Sequence, residues 1–292
     1  MKILIIGHSV VDHINNEIKP GGIYYSAAGL YNFINKDDEI SLLTSVSDDT
    51  FYHFEKLYSK INIEHSQKVE KIPSVHLKIY KTKEREECYS NISDKLNISS
   101  KLKFNNYDGI YINMVSGFDI DLSDIKFIRS NFNGLIYFDL HTLSRGLDKD
   151  NNRNFRKVEN ANEWVSNIDI LQTNENEIFT LSNKSDINEI IEELMSFGLN
   201  LLIITKGKSG ASVYYKEKTE ISLVHKESIK VDSVHNVGCG DIFGAVYFYS
   251  YIMSGNINVA LNTANSVAGI CTTYKSFEEF KNIKRDAKGF IN

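Results

Sequence analysis

Gly238-Cys239-Gly240-Asp241 stands directly before an apolar run that begins at Ile242, has helical character and reaches about Met253. Two glycines around a small residue let the backbone take dihedrals closed to other residues and approach a ligand closely. At a helix start, their N–H groups point outward and the helix dipole adds positive potential, which together make an anion site of backbone donors. Asp241 falls in the first turn, within reach of whatever that site holds. A carboxylate there can accept the proton of an attacking hydroxyl, while preorganised N–H groups stabilise charge on a phosphoryl group in transfer. A plain capped helix with an acidic first turn carries the same four residues, so the pattern alone leaves both readings open.

The elements that must position this segment read as alternating strands and helices. Apolar runs at 2–6, 40–44, 109–112, 135–139, 168–172 and 201–205 are short and bounded by turn residues, as buried strands are. Residues 25–33, 50–60, 160–167 and 186–197 carry helical spacing between them. Such alternation predicts an α/β fold with a mostly parallel sheet covered on both faces, and ligands beyond the carboxyl ends of its strands. One stretch departs from this: 74–80 alternates apolar and polar residues with period two, a charged turn follows at 81–87, and 88–92 resumes. It predicts an antiparallel hairpin, at about 73–92, that serves either as a lid or as an ordinary sheet edge.

The remaining composition narrows the function classes. A chain of 292 residues with 42% hydrophobic content supports a sizeable core, and it reads as one domain, 1–292, without repeats or a Pro/Gly/Ser linker. A net charge of −5 and a pI near 5.9 argue against a nucleic-acid partner. Cys88, Cys239 and Cys271 are widely spaced and form no CxxC, which speaks against a disulfide framework or zinc site and fits a reducing cytoplasm. The apolar start, 1–7, meets His8 and Ser9 too soon for a signal peptide, and no run approaches the roughly 20 apolar residues of a membrane span. Gly207-Lys208-Ser209 resembles the end of a Walker A loop, but position 202 is Leu where that motif needs glycine. Gly7 stands alone where a dinucleotide fold wants Gly-x-Gly-x-x-Gly.

Taken in order along the chain, these segments resemble the PfkB (ribokinase-like) carbohydrate kinases. Gly238-Cys239-Gly240-Asp241 is similar to the end of that family's Asp-Thr-x-Gly-Ala-Gly-Asp signature. The segment 7–12 looks like a first strand that ends in a sugar-holding aspartate, Asp12. Gly21-Gly22, with Ala27 and Ala28, looks like the paired-glycine motif that opens the first long helix, and Ser47-Asp48-Asp49 resembles Val-Gly-x-Asp. Asn174 and Glu177 match Asn-x-x-Glu. Thr205-Lys206-Gly207-Lys208-Ser209-Gly210 matches Thr-x-Gly-x-x-Gly, and Asn265 takes the helix position beside the adenine pocket.

The resemblance, which runs from Gly7 to Tyr274, implies a ribokinase-like three-layer sandwich with a small β lid. It further implies transfer of the ATP γ-phosphoryl group to a sugar or sugar-like hydroxyl in the cytoplasm. Asp241 is then the base, Gly238, Cys239 and Gly240 the anion hole, and Asp12, Gly21, Gly22 and Ser26 the acceptor site. Asn174, Thr205, Lys206, Gly207, Gly210 and Asn265 border ATP, while Glu177 and Asn174 organise Mg²⁺, partly through water. A homodimer through the lid is a further expectation. Three departures bear on substrate and cofactors. His235-Asn236-Val237 replaces Asp-Thr-x, whose aspartate commonly helps hold a monovalent cation. Ser26 replaces an asparagine that usually contacts sugar. Only eight residues separate Asp12 from Gly21, so the lid is expected to come mainly from 73–92. A nucleoside kinase, with Tyr24, Tyr25 or Phe118 clamping a base, and a non-catalytic nucleotide-binding regulator are the alternatives. His141 and Arg145, after the strand ending at Asp139, could reach substrate or merely cap.

Overall fold

The structure, a computed structural model, describes residues 1–14, 17–80, 86–99 and 102–291. Its main sheet has eight strands in the spatial order Glu220–Lys226, Ala211–Glu217, Leu201–Thr205, Ile170–Asn174, Leu135–Asp139, Gly109–Asn113, Lys2–Ile6 and Glu39–Leu43. All neighbours from Leu201–Thr205 onward pair in parallel, and the first two strands add an antiparallel hairpin at one edge.

Successive side chains of a strand point to opposite faces, and here both faces are buried. Ile3 and Ile5 pack with Ile23–Tyr31, Cys239–Ser254 and Ile257–Cys271 on one side. Leu4 and Ile6 pack with Leu122–Asn131, Ala161–Val165 and Ile187–Ser196 on the other. The result is a helix–sheet–helix sandwich. Trp164 lies in the second of these cores, its ring 5.4 Å from that of Phe138.

A second, four-stranded sheet lies beyond the carboxyl ends of the parallel strands, in the order Glu17–Gly22, Ser9–Ile14, Ser74–Lys78 and Glu86–Asn91. This second sheet therefore has two halves of similar size, and Ser9–Ile14 with Glu17–Gly22 supply one of them, so 73–92 does not form it alone. Asp12 belongs to this second sheet and not to the first strand, which ends at Ile6. Most of the charged turn expected at 81–87 lies outside the described residues. Glu87 itself is strand, paired with Leu77.

Apolar periodicity announced neither of two longer helices. Leu122–Asn131 is announced by Asp121 and Asp124, whose side chains form a capping box. Ile257–Cys271 starts at Asn256, whose side chain accepts from the N–H groups of Asn258 and Val259. The expected helix at 50–60 is instead a 3₁₀ turn, Phe51–His53, followed by the single turn Glu55–Tyr58.

Candidate active site

Asp241 sits in the first turn of Cys239–Ser254, and Gly238 is the cap, with φ 75°. This is a left-handed conformation that glycine alone adopts freely. Space excludes other residues as well, since a Cβ at Gly238 would lie 2.0 Å from Cδ1 of Tyr25. The neighbouring Gly240 is different: a Cβ there would meet only Nε2 of Gln172, at 3.8 Å. Cys239 is packed against the next helix, with Sγ 3.8 Å from the Ala268 carbonyl. Burial, and secondarily the charge of Asp241, pushes its thiol up to about 11, so it is a neutral packing group.

Asn113 ends the central strand Gly109–Asn113 and donates from Nδ2 to Oδ1 of Asp241 at 2.6 Å. The same amide nitrogen lies 3.2 Å from Oγ of Ser26. Ser26 in turn donates to the Asp241 carbonyl at 3.2 Å, and the Tyr111 hydroxyl reaches that carbonyl at 3.4 Å. Asp241 is thus held by side chain and backbone, and Ser26 spends its hydroxyl on the helix start. Neither Asn113 nor Tyr111 was singled out in the sequence. The polar end of an otherwise apolar strand was the available signal for Asn113.

Two cavities meet at Asp241. The larger, about 260 Å³, is lined by Asp139, His141, Arg145, Asn174, Glu177 and Thr205, with Gly238 and Gly240. The smaller, about 30 Å³, lies under the second sheet and is lined by Asp12, Gly22, Tyr25, Glu87 and Tyr89, with Gly238. Gly238, His141 and Asp241 border both. Gly21 and Gly22 shape the smaller one. A Cβ at Gly21 would fall 2.3 Å from the Asp12 carboxylate, and Gly22, at φ 64°, caps Ile23–Tyr31 with no room beside the His8 carbonyl.

In the larger cavity Asn174 and Glu177 close on each other. The Asn174 N–H donates to Oε2 of Glu177 at 3.0 Å, and the Glu177 N–H donates to Oδ1 of Asn174 at 2.9 Å. Arg145 Nη2 stands 3.8 Å from Oε1 of Glu177. Asp139, next in, accepts from Nε2 of Gln172 at 2.9 Å. Burial holds its carboxyl well above the usual range, and the charges of Asp241 and Glu177 add to the shift. Three carboxylates this close favour a cation or proton among them. Among the described residues no three His, Cys, Asp or Glu side chains form a ready-made metal site. These oxygens suit an ion that arrives with phosphates and keeps waters, as Mg²⁺ does.

Thr205 lines the same cavity, and Lys206 follows it into a tight turn. Gly207 and Gly210 have φ 53° and 83°, and the Lys206 N–H donates to the Gly210 carbonyl at 2.8 Å. Asn265 lies further off in Ile257–Cys271. Its Nδ2 donates to the carbonyls of Lys226, at 3.0 Å, and Glu227, at 3.4 Å. Asn265 therefore pins the segment after the edge hairpin to the helix.

Residues 125–282, more than half of the chain, match the model of the pfkB family carbohydrate kinases. The chain therefore belongs to the pfkB family of carbohydrate kinases. Among curated proteins it is 27% identical to a deoxyribokinase of Salmonella typhi over 129 residues, 40% of this chain and 41% of that protein. The chain matches about two fifths of the length of such relatives. Solved structures share the fold. A pyrophosphate-dependent kinase in the ribokinase family, complexed with a pyrophosphate analog and myo-inositol, superposes with a TM-score of 0.75 at 17% identity, covering 96% of this chain and 99% of that one. The ribokinase of Arabidopsis thaliana complexed with ribose and ATP gives 0.74 at 14% identity, with 98% of each chain covered.

Proposed function

We propose that this chain transfers the γ-phosphoryl group of Mg·ATP to a hydroxyl of a sugar or sugar-like compound, with Asp241 as general base. The observation that carries this reading is the position of Asp241, at the positive end of a 16-residue helix and on the boundary shared by both cavities. A hydroxyl held in the smaller cavity would face a phosphoryl group held in the larger one, with the carboxylate beside the line of attack. As the acceptor oxygen bonds to the γ-phosphorus, its proton passes to an Asp241 carboxylate oxygen. The bond from that phosphorus to the bridging oxygen breaks, and ADP carries the electron pair away.

Backbone N–H groups after Gly238 stabilise the charge on the equatorial oxygens. Asp12 accepts from acceptor hydroxyls, and Thr205 and the turn to Gly210 line the nucleotide phosphates. Mg²⁺, held through water by Asn174 and Glu177, would neutralise phosphate charge. Acceptor-dependent consumption of ATP tests the reading, measured with ribose, myo-inositol and adenosine as probes. Consumption only with adenosine would favour the nucleoside kinase, and consumption with none would favour a non-catalytic regulator.

A second reading, with pyrophosphate as donor, draws on a different observation. Ile229 packs so close to Gly269 that a Cβ there would fall 2.5 Å from Ile229 Cγ1, and Asn265 is committed to backbone carbonyls. The chain itself thus covers part of the helix surface on which a base would rest. His141 and Arg145, by contrast, stand beside the position of a transferring phosphoryl group. The structural relative complexed with a pyrophosphate analog lends this support. The same assay with pyrophosphate in place of ATP separates the two donors.

A further inference from the structure

A third cavity, of about 560 Å³, opens beside the two that meet at Asp241 and shares walls with both. Tyr25 and Val237 border it and the small cavity under the second sheet, while Ile79 and Tyr80 border it and the larger one. The second sheet encloses it at Ile14 and Lys19, the stretch 234–237 that leads into Gly238 forms another side, and the 3₁₀ helix Phe277–Asn282 a third. Two of these walls are pinned. The Val234 N–H donates to the Thr272 carbonyl at 2.8 Å, and Ser276 and Glu279 form a capping box at the start of the 3₁₀ helix.

The lining differs from that of the larger cavity, where carboxylates and amides dominate. Here the floor is made of rings, with Phe277 5.0 Å from Tyr25 and 5.1 Å from Phe280, centre to centre. At the mouth, Ile79, Tyr80 and Val234 are 39%, 37% and 57% exposed. Large apolar side chains exposed singly are ordinary, but three around one aromatic cavity mark a surface that binding would cover. Size separates the cavities too. About 30 Å³ holds about two waters or the hydroxyl arm of an alcohol, but no ring. The third cavity falls in the range of about 300–1,000 Å³ typical of apolar, aromatic-lined small-molecule sites.

We propose that the third cavity receives an aromatic or heteroaromatic group carried by the acceptor, whose hydroxyl arm passes Tyr25 and Val237 into the small cavity and reaches Asp241. This deepens the kinase reading given above and rests on it. The acceptor is then a sugar-like alcohol with a flat apolar body, and not a bare polyol. Rings that meet Phe277 and Tyr25 edge to face or offset gain from their quadrupoles as well as from leaving water.

The test sets matched probes against the full chain: ribose beside uridine, and glucose beside phenyl β-glucoside. Calorimetry without donor reads the cavity alone, and donor consumption is read separately. In at least one pair the aromatic member should bind about 10-fold or more tightly, with a KM lower by a similar factor, the scale of one buried aromatic contact. Val234→Asp, at an exposed position, puts a charge at the mouth and should cut that preference below about 3-fold. Phe277→Ala removes part of the floor and should do the same; if it unfolds, Val234→Asp decides alone. Equal binding within both pairs, tighter binding of the bare sugars, or a preference that survives Val234→Asp would overturn the proposal. So would absence of heat with all four probes, or displacement of the aromatic probe by a non-hydrolysable ATP analogue, which would put the ring on the donor side. An aromatic preference without donor consumption would leave the cavity assignment standing and remove the kinase reading instead. Donor consumption with bare sugars and no such preference would do the reverse.

Discussion

The contact between Asn113 and Asp241 orients one carboxylate oxygen of a side chain that borders both cavities. An amide is the suitable partner, because it donates without adding charge. In the variant N113D, a second carboxylate would stand at the same distance, and like charges so close raise the proton affinity of the pair. The acidic limb of kcat/KM should therefore move to higher pH by about one unit or more. A pH–rate profile over the range where the protein stays folded measures this, and an unmoved limb would separate Asn113 from the base. Asp139 is raised in the protein as it stands, first by burial and then by the charges of Asp241 and Glu177. Its raised proton affinity contributes stability that is present below the ordinary carboxylate range and is lost as pH rises through its folded value. Much of this scale was legible: Asp241, Gly238, Asp12, Asn174 and Glu177 stand out by type and order. Asn113 did not, because it occupies an unremarkable place in a strand and matters only through what the fold brings opposite it.

The helix start Gly238 to Asp241 is the element on which the account turns, and its two glycines should answer differently to substitution. At Gly238 a side chain has neither a favourable φ nor room beside Tyr25. Gly238→Ala should destabilise the protein by about 1–3 kcal/mol, and activity should collapse with it. At Gly240 the backbone is ordinary and the space is open toward the larger cavity, so Gly240→Val should fold normally and lose activity by obstructing the donor. Melting curves beside activity distinguish the two; a stable and active Gly240→Val protein would reduce the loop to a helix cap.

His235 precedes this loop, with its N–H 3.3 Å from the Thr272 carbonyl. Burial lowers the proton affinity of its ring, and the carbonyls of Tyr274 and Val237 partly oppose that shift. A mostly neutral imidazole at neutral pH offers one nitrogen lone pair, a poor ligand for an alkali cation. Activity should thus be the same in Na⁺, K⁺ or a bulky organic cation at constant ionic strength. A several-fold stimulation specific to K⁺ would show that backbone carbonyls hold the ion without an aspartate. At this scale the sequence was a good guide to the parallel strands, whose apolar runs are unmistakable. It was a poor guide to Ile257–Cys271, where asparagines obscure the period, and to the lid strands 9–14 and 17–22, where short segments with glycines and Pro20 lack a strand-like run.

Across the whole molecule, the two cavities lie between a rigid sandwich and a smaller sheet that covers one of them. The sandwich is fixed by two hydrophobic cores, and the second sheet joins the first of them through Val10, Val11, Ile14, Val75, Leu77 and Tyr89. Motion of the lid relative to the sandwich is the expected route of entry to a cavity of about 30 Å³. Hydrogen exchange should show added protection of Ser9–Ile14 and Ser74–Lys78 when a neutral acceptor binds. Exchange that is identical with and without acceptor would argue for a fixed cover. The alternation of strand and helix made this three-layer plan readable from the chain, but the equal share of Ser9–Ile14 and Glu17–Gly22 in the second sheet became visible only in the fold.

The central claim is that Asp241 takes the proton of the acceptor, and Asp241→Asn tests it most directly. The amide keeps the shape and the Asn113 contact within hydrogen-bonding reach but cannot accept the proton. Single-turnover and steady-state rates on the best acceptor should fall by about 10²–10⁴ in kcat, with donor affinity nearly unchanged. A folded Asp241→Asn protein that keeps more than about a tenth of wild-type kcat, well above what loss of a general base allows, would contradict the account.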